Sequence, residues 1–203
     1  MTTATSPMQD APTARLTVVY PVLLRVEGAA APRTPERVRL QRAASRRALA
    51  HSAQLCGAPE AGWAKDEGGA PVARDGLFWS VSHKPNWVAA VIADQPVGID
   101  IERVAPRRSV LHDAVADLVE WQRVGGHDWP FFFRVWTAKE ATLKSRGAGI
   151  GEFLACRVVD ASGDREMTLT HRGRTTRVRH YCVDDHVAAV TCGSSPIEWR
   201  VVE

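Results

Sequence analysis

The chain has 203 residues, of which 45% are hydrophobic and 24% are charged, and its formal net charge is +3. The length suits one large domain or two small ones, and the composition is typical of a soluble globular protein. The mildly basic charge suits an acidic partner or a polyanionic substrate. It is too small to indicate a nucleic-acid-binding protein, which would need a denser basic face with interleaved aromatic residues.

The N-terminal segment over residues 1–14 is rich in Thr, Ala and Pro and has no basic stretch followed by an apolar one. We therefore expect a flexible tail rather than a signal peptide. No apolar run approaches the roughly 20 residues of a membrane span. The four cysteines are scattered without metal-finger spacing, which favours reduced thiols and a cytoplasmic protein.

The first regular elements are a strand and a long helix. Residues 16–26 are rich in β-branched and apolar side chains and predict a strand that is interrupted at Pro21. Residues 34–36, Thr-Pro-Glu, have the pattern of a helix start, with Thr as the N-cap and Pro at the first helical position. The predicted helix runs to about Leu55. Its Arg39, Arg42 and Arg46 form one stripe, which is either a solvated face or a surface for phosphate groups.

The centre of the chain predicts a hairpin, a further strand and two helices. Residues 76–82 and 87–93 form the hairpin around a turn at 83–86, and residues 97–102 form the next strand. Ser109 can cap a helix that continues through Trp121 and ends at the two glycines 125 and 126. A second helix is expected from about 131 to 146, and residues 153–203 alternate in the manner of a strand meander.

One short segment occurs twice. Residues 87–91, Trp-Val-Ala-Ala-Val, resemble residues 186–190, His-Val-Ala-Ala-Val, and each copy ends a predicted hairpin. The offset is close to half the chain, which indicates two similar α+β lobes. We expect an N-terminal lobe over 15–102, a C-terminal lobe over 103–203, and a site at the boundary between them, where clefts are commonly built.

Two segments carry the chemistry. In residues 97–102, Val-Gly-Ile-Asp-Ile-Glu, a strand would project Asp100 and Glu102 to the same face. In residues 136–144, Trp-Thr-Ala-Lys-Glu-Ala-Thr-Leu-Lys, a helix would place Glu140 and Lys144 one turn apart. Three convergent carboxylates suit a hard cation such as Mg²⁺, and lysines suit phosphate oxygens. The simplest site of this kind is a metal-assisted phosphoryl-transfer centre, although each pair alone could be an ordinary surface feature.

These motifs together resemble a known family. The order Trp-Ser-Val-Ser-His at 79–83, Gly-Ile-Asp-Ile-Glu at 98–102 and Trp-x-x-Lys-Glu-x-x-x-Lys at 136–144 is similar to that of the 4′-phosphopantetheinyl transferases. The larger, two-lobed type, which activates polyketide and nonribosomal peptide synthetases, fits best. The resemblance implies an α+β fold of two lobes related by a pseudo-twofold axis. Each lobe would have a small antiparallel sheet with a packed helix, and the active site would lie at the lobe interface.

The resemblance also implies a reaction and a set of site residues. The reaction transfers the phosphopantetheine arm of coenzyme A to a serine of an acyl or peptidyl carrier protein and releases adenosine 3′,5′-bisphosphate. The implied magnesium ligands are Asp100, Glu102 and Glu140. The implied contacts to coenzyme A are Ser82, His83, Lys139 and Lys144, to which the basic stripe adds Arg42 and Arg46.

Catalysis would rest on Glu140 and Lys144. The carrier serine must lose its proton during the attack, so a base is needed. Glu140, directly or through water, is one candidate, and a carboxylate between Asp113 and Glu120 is the other. Lys144 would hold the phosphate oxygens on which charge develops.

One feature departs from the family pattern. Members often have a basic residue in a Gly-Lys/Arg-Pro element, but residues 69–71 here read Gly-Ala-Pro. We expect Arg74, or else Arg42 and Arg46, to replace the basic contact that is missing at Ala70. The expected partner is an acidic helical carrier domain, steered by the net positive charge, and the expected state is a monomer. The alternative is a module that binds coenzyme A or a carrier protein without catalysis.

Overall fold

The computed structural model describes residues 16–27, 34–161 and 163–203, so the predicted tail over 1–14 lies outside the described residues. The strands are β1 (Val22–Arg25), β2 (Phe78–Lys84), β3 (Trp87–Ala93), β4 (Ile99–Arg103), β5 (Cys156–Asp160), β6 (Glu166–His171), β7 (Arg174–Val183), β8 (His186–Cys192) and β9 (Arg200–Val202). The helices are α1 (Pro35–Cys56), α2 (Leu111–Val115), α3 (Leu118–Val124) and α4 (Trp129–Ser145), and a 3₁₀ helix spans Ile150–Ala155.

The long helix α1 forms as its sequence predicts. The Thr34 side chain accepts a hydrogen bond from the Arg37 amide at the N-terminus, and Pro35 occupies the first turn, where its missing N–H costs nothing. Gly57 ends the helix with φ of 70°, in the left-handed conformation that glycine adopts without strain. The small buried face around Ala48 and Leu49 packs on the first sheet.

The strands form two sheets. The first has the order β2-β3-β1-β9, antiparallel except for the parallel pair β1–β9, and α1 packs against it. The second is antiparallel with the order β4-β8-β7-β6-β5, and α4 packs against it. This is the α+β architecture of two similar lobes that the sequence predicts.

The repeated segment occupies equivalent positions. The two copies form β3 and β8, and each pairs with the strand that precedes it in the chain: β2-β3-β1 in one sheet matches β7-β8-β4 in the other. In this correspondence β4 is the counterpart of β1 and belongs to the second sheet. The lobe boundary that we placed after Glu102 stays a prediction, but the strand pairing favours a boundary between β3 and β4.

The lobes share a core. One apolar cluster lies under α1 and a second lies between α4 and the second sheet. A third joins β1 and β3 to β4 and β8, with Leu23, Val91, Ile101 and Val190 all buried. The two sheets are therefore held in a fixed relation by apolar contacts, which is what a site built from both of them requires.

The region between β4 and α4 differs from the expected single helix. It consists of two short helices, α2 and α3, because Ala116 leaves the helical conformation with φ of −153°. Asp117 then starts α3 with a capping box, accepting from the Glu120 amide while Glu120 reaches back to the Asp117 amide. Ser109 makes no cap, since α2 has no side-chain cap at its start. Among the described residues, no helix is long and apolar enough to cross a membrane.

Candidate functional site

Three elements from both lobes meet at the centre of the molecule: β2, β4 and α4. Gly98 brings β4 against the helix, because a Cβ at this position would lie 1.9 Å from the Ala141 carbonyl oxygen. On the other side, the buried Ser80 hydroxyl accepts a hydrogen bond from the Ile99 amide at 3.1 Å, which ties β4 to β2. The glycine of the Gly-Ile-Asp-Ile-Glu motif is therefore required by packing. The close contact that it permits sets the position of Asp100 relative to α4.

Asp100 is the most enclosed of the acidic residues at this junction, with 3% exposure. Its Oδ1 accepts hydrogen bonds from the Ser82 hydroxyl and from the Lys144 ammonium, each at 2.7 Å. Lys144 also donates to the Ile99 carbonyl at 3.1 Å. Asp100 Oδ2 is buried and has no hydrogen-bond partner among the described residues, so one carboxylate oxygen can still accept a ligand.

Glu102 lies two residues further along the same face of β4, as the strand pattern predicts. Its Oε1 is 2.7 Å from the Lys84 ammonium at the end of β2. Burial, and after it the charge of Asp100, raise the pKa of Glu102 above its ordinary value, while Lys84 opposes the shift. Lys84 thus supports a carboxylate that is both buried and repelled by its neighbour.

Glu140 faces the same two carboxylates from α4. Burial raises its pKa, the charge of Asp100 adds to the shift and Glu102 contributes further, whereas Lys144 and Lys84 oppose it. Asp100, Glu102 and Glu140, which lie in two segments about forty residues apart in the sequence, therefore influence one another electrostatically. Mutual repulsion of this kind is relieved by a proton or by a cation.

The donor chemistry of this cluster fits a hard cation. All three side chains offer carboxylate oxygen, and the orphaned Asp100 Oδ2 is the buried acceptor that a cation would satisfy. Within the described ranges, however, no group of three or more His, Cys, Asp and Glu side chains is gathered closely enough to hold a metal ion. Lys84 and Lys144 neutralise two of the carboxylates instead.

A cleft of about 1040 Å³ opens beside the carboxylates, between α1, β2 and the loop over residues 57–77. It lies in the first lobe and meets the carboxylate cluster at Lys84, which lines the cleft and pairs with Glu102. Five of its lining side chains are cationic and one is a carboxylate; they are Arg37, Arg42, Arg46, Lys65, Lys84 and Glu60. Such a cleft suits a polyanionic ligand.

The predicted basic stripe of α1 lines the cleft only in part. Arg42 and Arg46 line the cleft, but Arg39 does not, and Arg37 takes its place. The buried face of α1 includes Gln41, whose side chain donates to the Lys84 carbonyl at 3.2 Å. His83 also lines the cleft, while Ser82 points inward to Asp100.

Lys139 lies away from this cluster, and its expected contact with phosphate is not supported. Its side chain is fully buried, and its Nζ donates to Glu120 Oε1 at 2.8 Å and to the carbonyls of Val115 and Phe153 at 2.6 and 3.2 Å. Adjacent residues of a helix point about 100° apart, so Lys139 cannot share the face of Glu140. We correct its role to a structural one in the second lobe.

The missing basic residue at Ala70 has no replacement in Arg74. The Arg74 guanidinium binds Asp75 and the Ala61 carbonyl, and it does not line the cleft. Lys65, which forms a β-bridge with Pro71 next to Ala70, does line the cleft. Sequence reasoning missed Lys65 and Lys84; the one available signal was that lysine is rare in this arginine-rich chain, with only four among 26 basic residues.

Comparisons with known proteins point to one family. The model of the 4′-phosphopantetheinyl transferase superfamily matches residues 96–191, from the turn before β4 to β8. The transferase psf-1 of Bacillus pumilus is 29% identical over 144 residues, which are 66% of this chain and 61% of that protein. The transferase gsp of Aneurinibacillus migulanus is 30% identical over 90 residues, 42% of this chain and 38% of that protein.

The transferase Sfp of Bacillus subtilis strain 168 is 25% identical over 126 residues, 58% of this chain and 55% of that protein. Each of these matches covers less than two thirds of the relative's own length. The family match includes all of β4 and α4, the two elements that contribute Asp100, Glu102, Glu140 and Lys144. The chain is similar to the 4′-phosphopantetheinyl transferase superfamily over residues 96–191, and it resembles the larger, two-lobed type of that superfamily.

Proposed function

We propose that the protein transfers the 4′-phosphopantetheine arm of coenzyme A to a serine of an acyl or peptidyl carrier protein, releasing adenosine 3′,5′-bisphosphate. The observation that carries the proposal is the junction of a cationic cleft with a cluster of three carboxylates at Lys84. A polyanionic substrate bound in the cleft would have its phosphates near the carboxylates, where phosphoryl-type transfer needs charge neutralisation.

Coenzyme A would bind through the cations of the cleft. Arg42 and Arg46 on α1 and His83 at the end of β2 are the proposed contacts to its phosphates, with Lys144 beside the reacting pyrophosphate. Ser82 is a further proposed contact, and its hydrogen bond to Asp100 Oδ1 keeps that carboxylate in one orientation. Lys84 would move from Glu102 toward the phosphates when the anionic substrate enters.

Asp100, Glu102 and Glu140 are the proposed ligands of a magnesium ion. The ion would neutralise charge on the pyrophosphate oxygens. In support of this, Asp100 and Glu102 are buried, Glu140 is half-buried, and Asp100 Oδ2 has no hydrogen-bond partner among the described residues. Lys144, 31% exposed, holds Asp100 Oδ1 and would place a second positive charge beside the leaving group.

Glu140 is the proposed base that accepts the proton of the carrier serine, directly or through water. Its raised pKa makes it a stronger base than an ordinary glutamate. Of the rival carboxylates, Glu120 is fully buried against Lys139 and Asp117 caps α3, so neither is available to a substrate. Asp113, exposed on α2, is the rival that remains.

The protein substrate would be an acidic helical carrier domain, because the chain has a net charge of +3 and exposed arginines surround the cleft. Action as a monomer in the cytoplasm, within polyketide or nonribosomal peptide synthesis, completes the proposal. The competing function is a module that binds coenzyme A or a carrier protein without catalysis, which would not need three neighbouring carboxylates.

The experiment is the intact mass of an apo carrier protein after incubation with this protein, coenzyme A and Mg²⁺. We expect the carrier to gain the mass of one phosphopantetheine group. Glu140→Gln removes one carboxylate charge at nearly constant shape and should slow the reaction about 100-fold or more. Chelation of the metal should have at least as large an effect.

The matched control is Glu166→Gln, because Glu166 is an exposed glutamate of β6 paired with Arg179, outside the junction. Its rate should equal that of the unaltered protein. Binding of coenzyme A without any mass gain across fatty-acid, polyketide and peptide carriers would favour the non-catalytic module. An undiminished rate in Glu140→Gln would remove Glu140 from the proposed mechanism.

A further inference from the structure

The loop over residues 57–77 forms the wall of the cleft opposite α1, and it contributes both an aromatic ring and a cation. Trp63 and Lys65 line the cleft from this side, and Arg37, Arg42 and Arg46 line it from α1. A ligand in the cleft therefore contacts arginines on one side and an indole ring with an ammonium on the other. An aromatic ring beside a cation is the chemistry that recognises a base and a phosphate together.

The loop is built before any ligand binds. The Trp79 indole donates to the Val72 carbonyl at 3.0 Å, and the Arg74 guanidinium binds the Ala61 carbonyl. The Asp66 carboxylate accepts a hydrogen bond from the Ala70 amide at 2.8 Å. These contacts fix both ends and the tip of the loop, so Trp63 and Lys65 project from a formed wall and little ordering entropy is lost on binding.

Trp63 is held by packing rather than by a hydrogen bond. Its ring lies 6.4 Å from that of Trp79, tilted by 55°, and its Nε1 is buried with no hydrogen-bond partner among the described residues. Buried indole N–H groups usually have a partner. Packing therefore holds the Trp63 ring at the wall of the cleft, and no hydrogen bond of its N–H accounts for its place there.

Lys65 has no ion-pair partner in the part of the chain that the structure describes. It pairs with Pro71 in a β-bridge, which holds its backbone next to Ala70 at the rim of the cleft. The other lysines all have carboxylate partners: Lys84 with Glu102, Lys139 with Glu120, and Lys144 with Asp100. Lys65 is thus the lysine whose charge is available to a phosphate.

We infer that Trp63 and Lys65 are specificity-determining residues for the nucleotide half of the ligand, with Trp63 stacking on the purine base and Lys65 binding a phosphate of the same nucleotide. The phosphopantetheine half would then extend past Lys84 toward the carboxylate cluster. This inference rests on the proposed use of coenzyme A, but it concerns recognition of the nucleotide and not the transfer step.

The test measures binding of two fragments by calorimetry. Adenosine 3′,5′-bisphosphate has the base and phosphates, and 4′-phosphopantetheine has neither base nor ribose. Trp63→Leu should weaken the bisphosphate about tenfold or more, and Lys65→Met about fivefold, with a smaller dependence on salt. Neither variant should change the dissociation constant of phosphopantetheine, and Trp63→Phe should restore most of the affinity.

Two matched controls separate contact from charge and fold. Arg39→Met removes the same charge from α1 at a residue that does not line the cleft, and Trp199→Leu removes a tryptophan that stacks on Tyr181 instead. Both should bind the bisphosphate normally. Unchanged bisphosphate binding in Trp63→Leu would overturn the inference, and so would an equal loss for both fragments, which would make the role structural.

The outcome is independent of the transfer reaction. If no carrier is modified but the bisphosphate binds with the expected dependence on Trp63, the recognition site stands and the proposed function fails. If carriers are modified and Trp63→Leu leaves the KM for coenzyme A unchanged, the proposed function stands and this inference fails.

Discussion

Replacement of Lys139 by Met should destabilise the fold rather than remove a group that takes part in the reaction. Lys139 and Glu120 are both fully buried, with Nζ and Oε1 2.8 Å apart. The same ammonium donates to the carbonyls of Val115 and Phe153. One side chain of α4 therefore joins α2, α3 and the 3₁₀ helix.

The expected loss follows from what the substitution leaves behind. Met fills most of the volume but leaves two buried carbonyls without their donor, and the Glu120 carboxylate keeps only the more distant Arg157 guanidinium, 3.5 Å from Oε2, as a counter-charge. Breaking a buried ion pair in this way costs about 3–5 kcal/mol. Glu120 keeps its hydrogen bond from the Val158 amide at 2.8 Å, so its carboxylate does not lose all of its hydrogen bonds. Since domains are stable by only about 5–15 kcal/mol, the variant should be marginal.

The assay is urea denaturation followed by far-UV circular dichroism. The matched control is Lys144→Met, a lysine on the same helix that is 31% exposed, and it should cost less, about 1–2 kcal/mol, because water can reach its end of the pair with Asp100. A second variant with Lys139→Met and Glu120→Gln should regain about half of the loss, because no charge is then left unpaired. If Lys139→Met costs no more than Lys144→Met, the buried pair is not the structural link that its contacts indicate.

Three further changes test the junction and the second lobe. Gly98→Ala should cost about 3 kcal/mol or more and reduce activity together with stability, because the added Cβ overlaps the main chain of α4; a normal unfolding curve would contradict this. Ser80→Ala should cost about 1–3 kcal/mol, since the buried Ile99 amide loses its acceptor, whereas Ser80→Thr should keep most of the stability. Burial lowers the pKa of His180 to about 4. Between about pH 6.5 and 4 the unfolded state therefore binds one proton more than the folded state. The free energy of unfolding should fall as the pH drops through this range, by about 3 kcal/mol in total. Denaturation curves of His180→Gln, which can still donate to the Arg134 carbonyl, should lack that part of the pH dependence; an unchanged slope would count against a neutral buried His180.

The sequence predicts those features that depend on a few neighbouring residues. Thr34 and Pro35 start α1 where expected, and Asp100 and Glu102 share a face of β4 because strand side chains alternate. The repeated segment predicts the two lobes because both copies form buried strands at equivalent positions in the two sheets. In each case the local pattern and the final environment agree.

The remaining features depend on contacts that the pattern does not contain. Lys139 and Lys144 lie in one motif, yet five helical residues separate their directions by about 140°. Helix geometry alone could have shown that the two lysines lie on different faces of α4. It could not have shown that Lys139 is buried, because that depends on its partner Glu120, nineteen residues earlier in the chain. The break between α2 and α3 is likewise set by the capping box at Asp117, which competes with continued helix.

The two lobes have different roles in the proposed reaction because equivalent strand positions have different residues: β4 has acidic side chains where β1 has apolar ones. In the strand register, Asp100 is opposite Ala189 and Glu102 is opposite Val187, and the equivalent partners in the first sheet are Val22 opposite Ala90 and Leu24 opposite Val88. The apolar pair is buried under α1, which closes that face of the first lobe.

In the second lobe the acidic pair faces α4, and Glu140 and Lys144 on that helix replace apolar packing by charge. A carboxylate at either apolar position would lie in the core cluster under α1, where apolar neighbours such as Ala48 and Leu49 would not offset its desolvation. The first lobe is therefore limited to a cationic surface on the outer side of α1, and the second can keep a buried acidic cluster. A ligand that uses both must cross from one lobe to the other at Lys84, the cation that belongs to both surfaces.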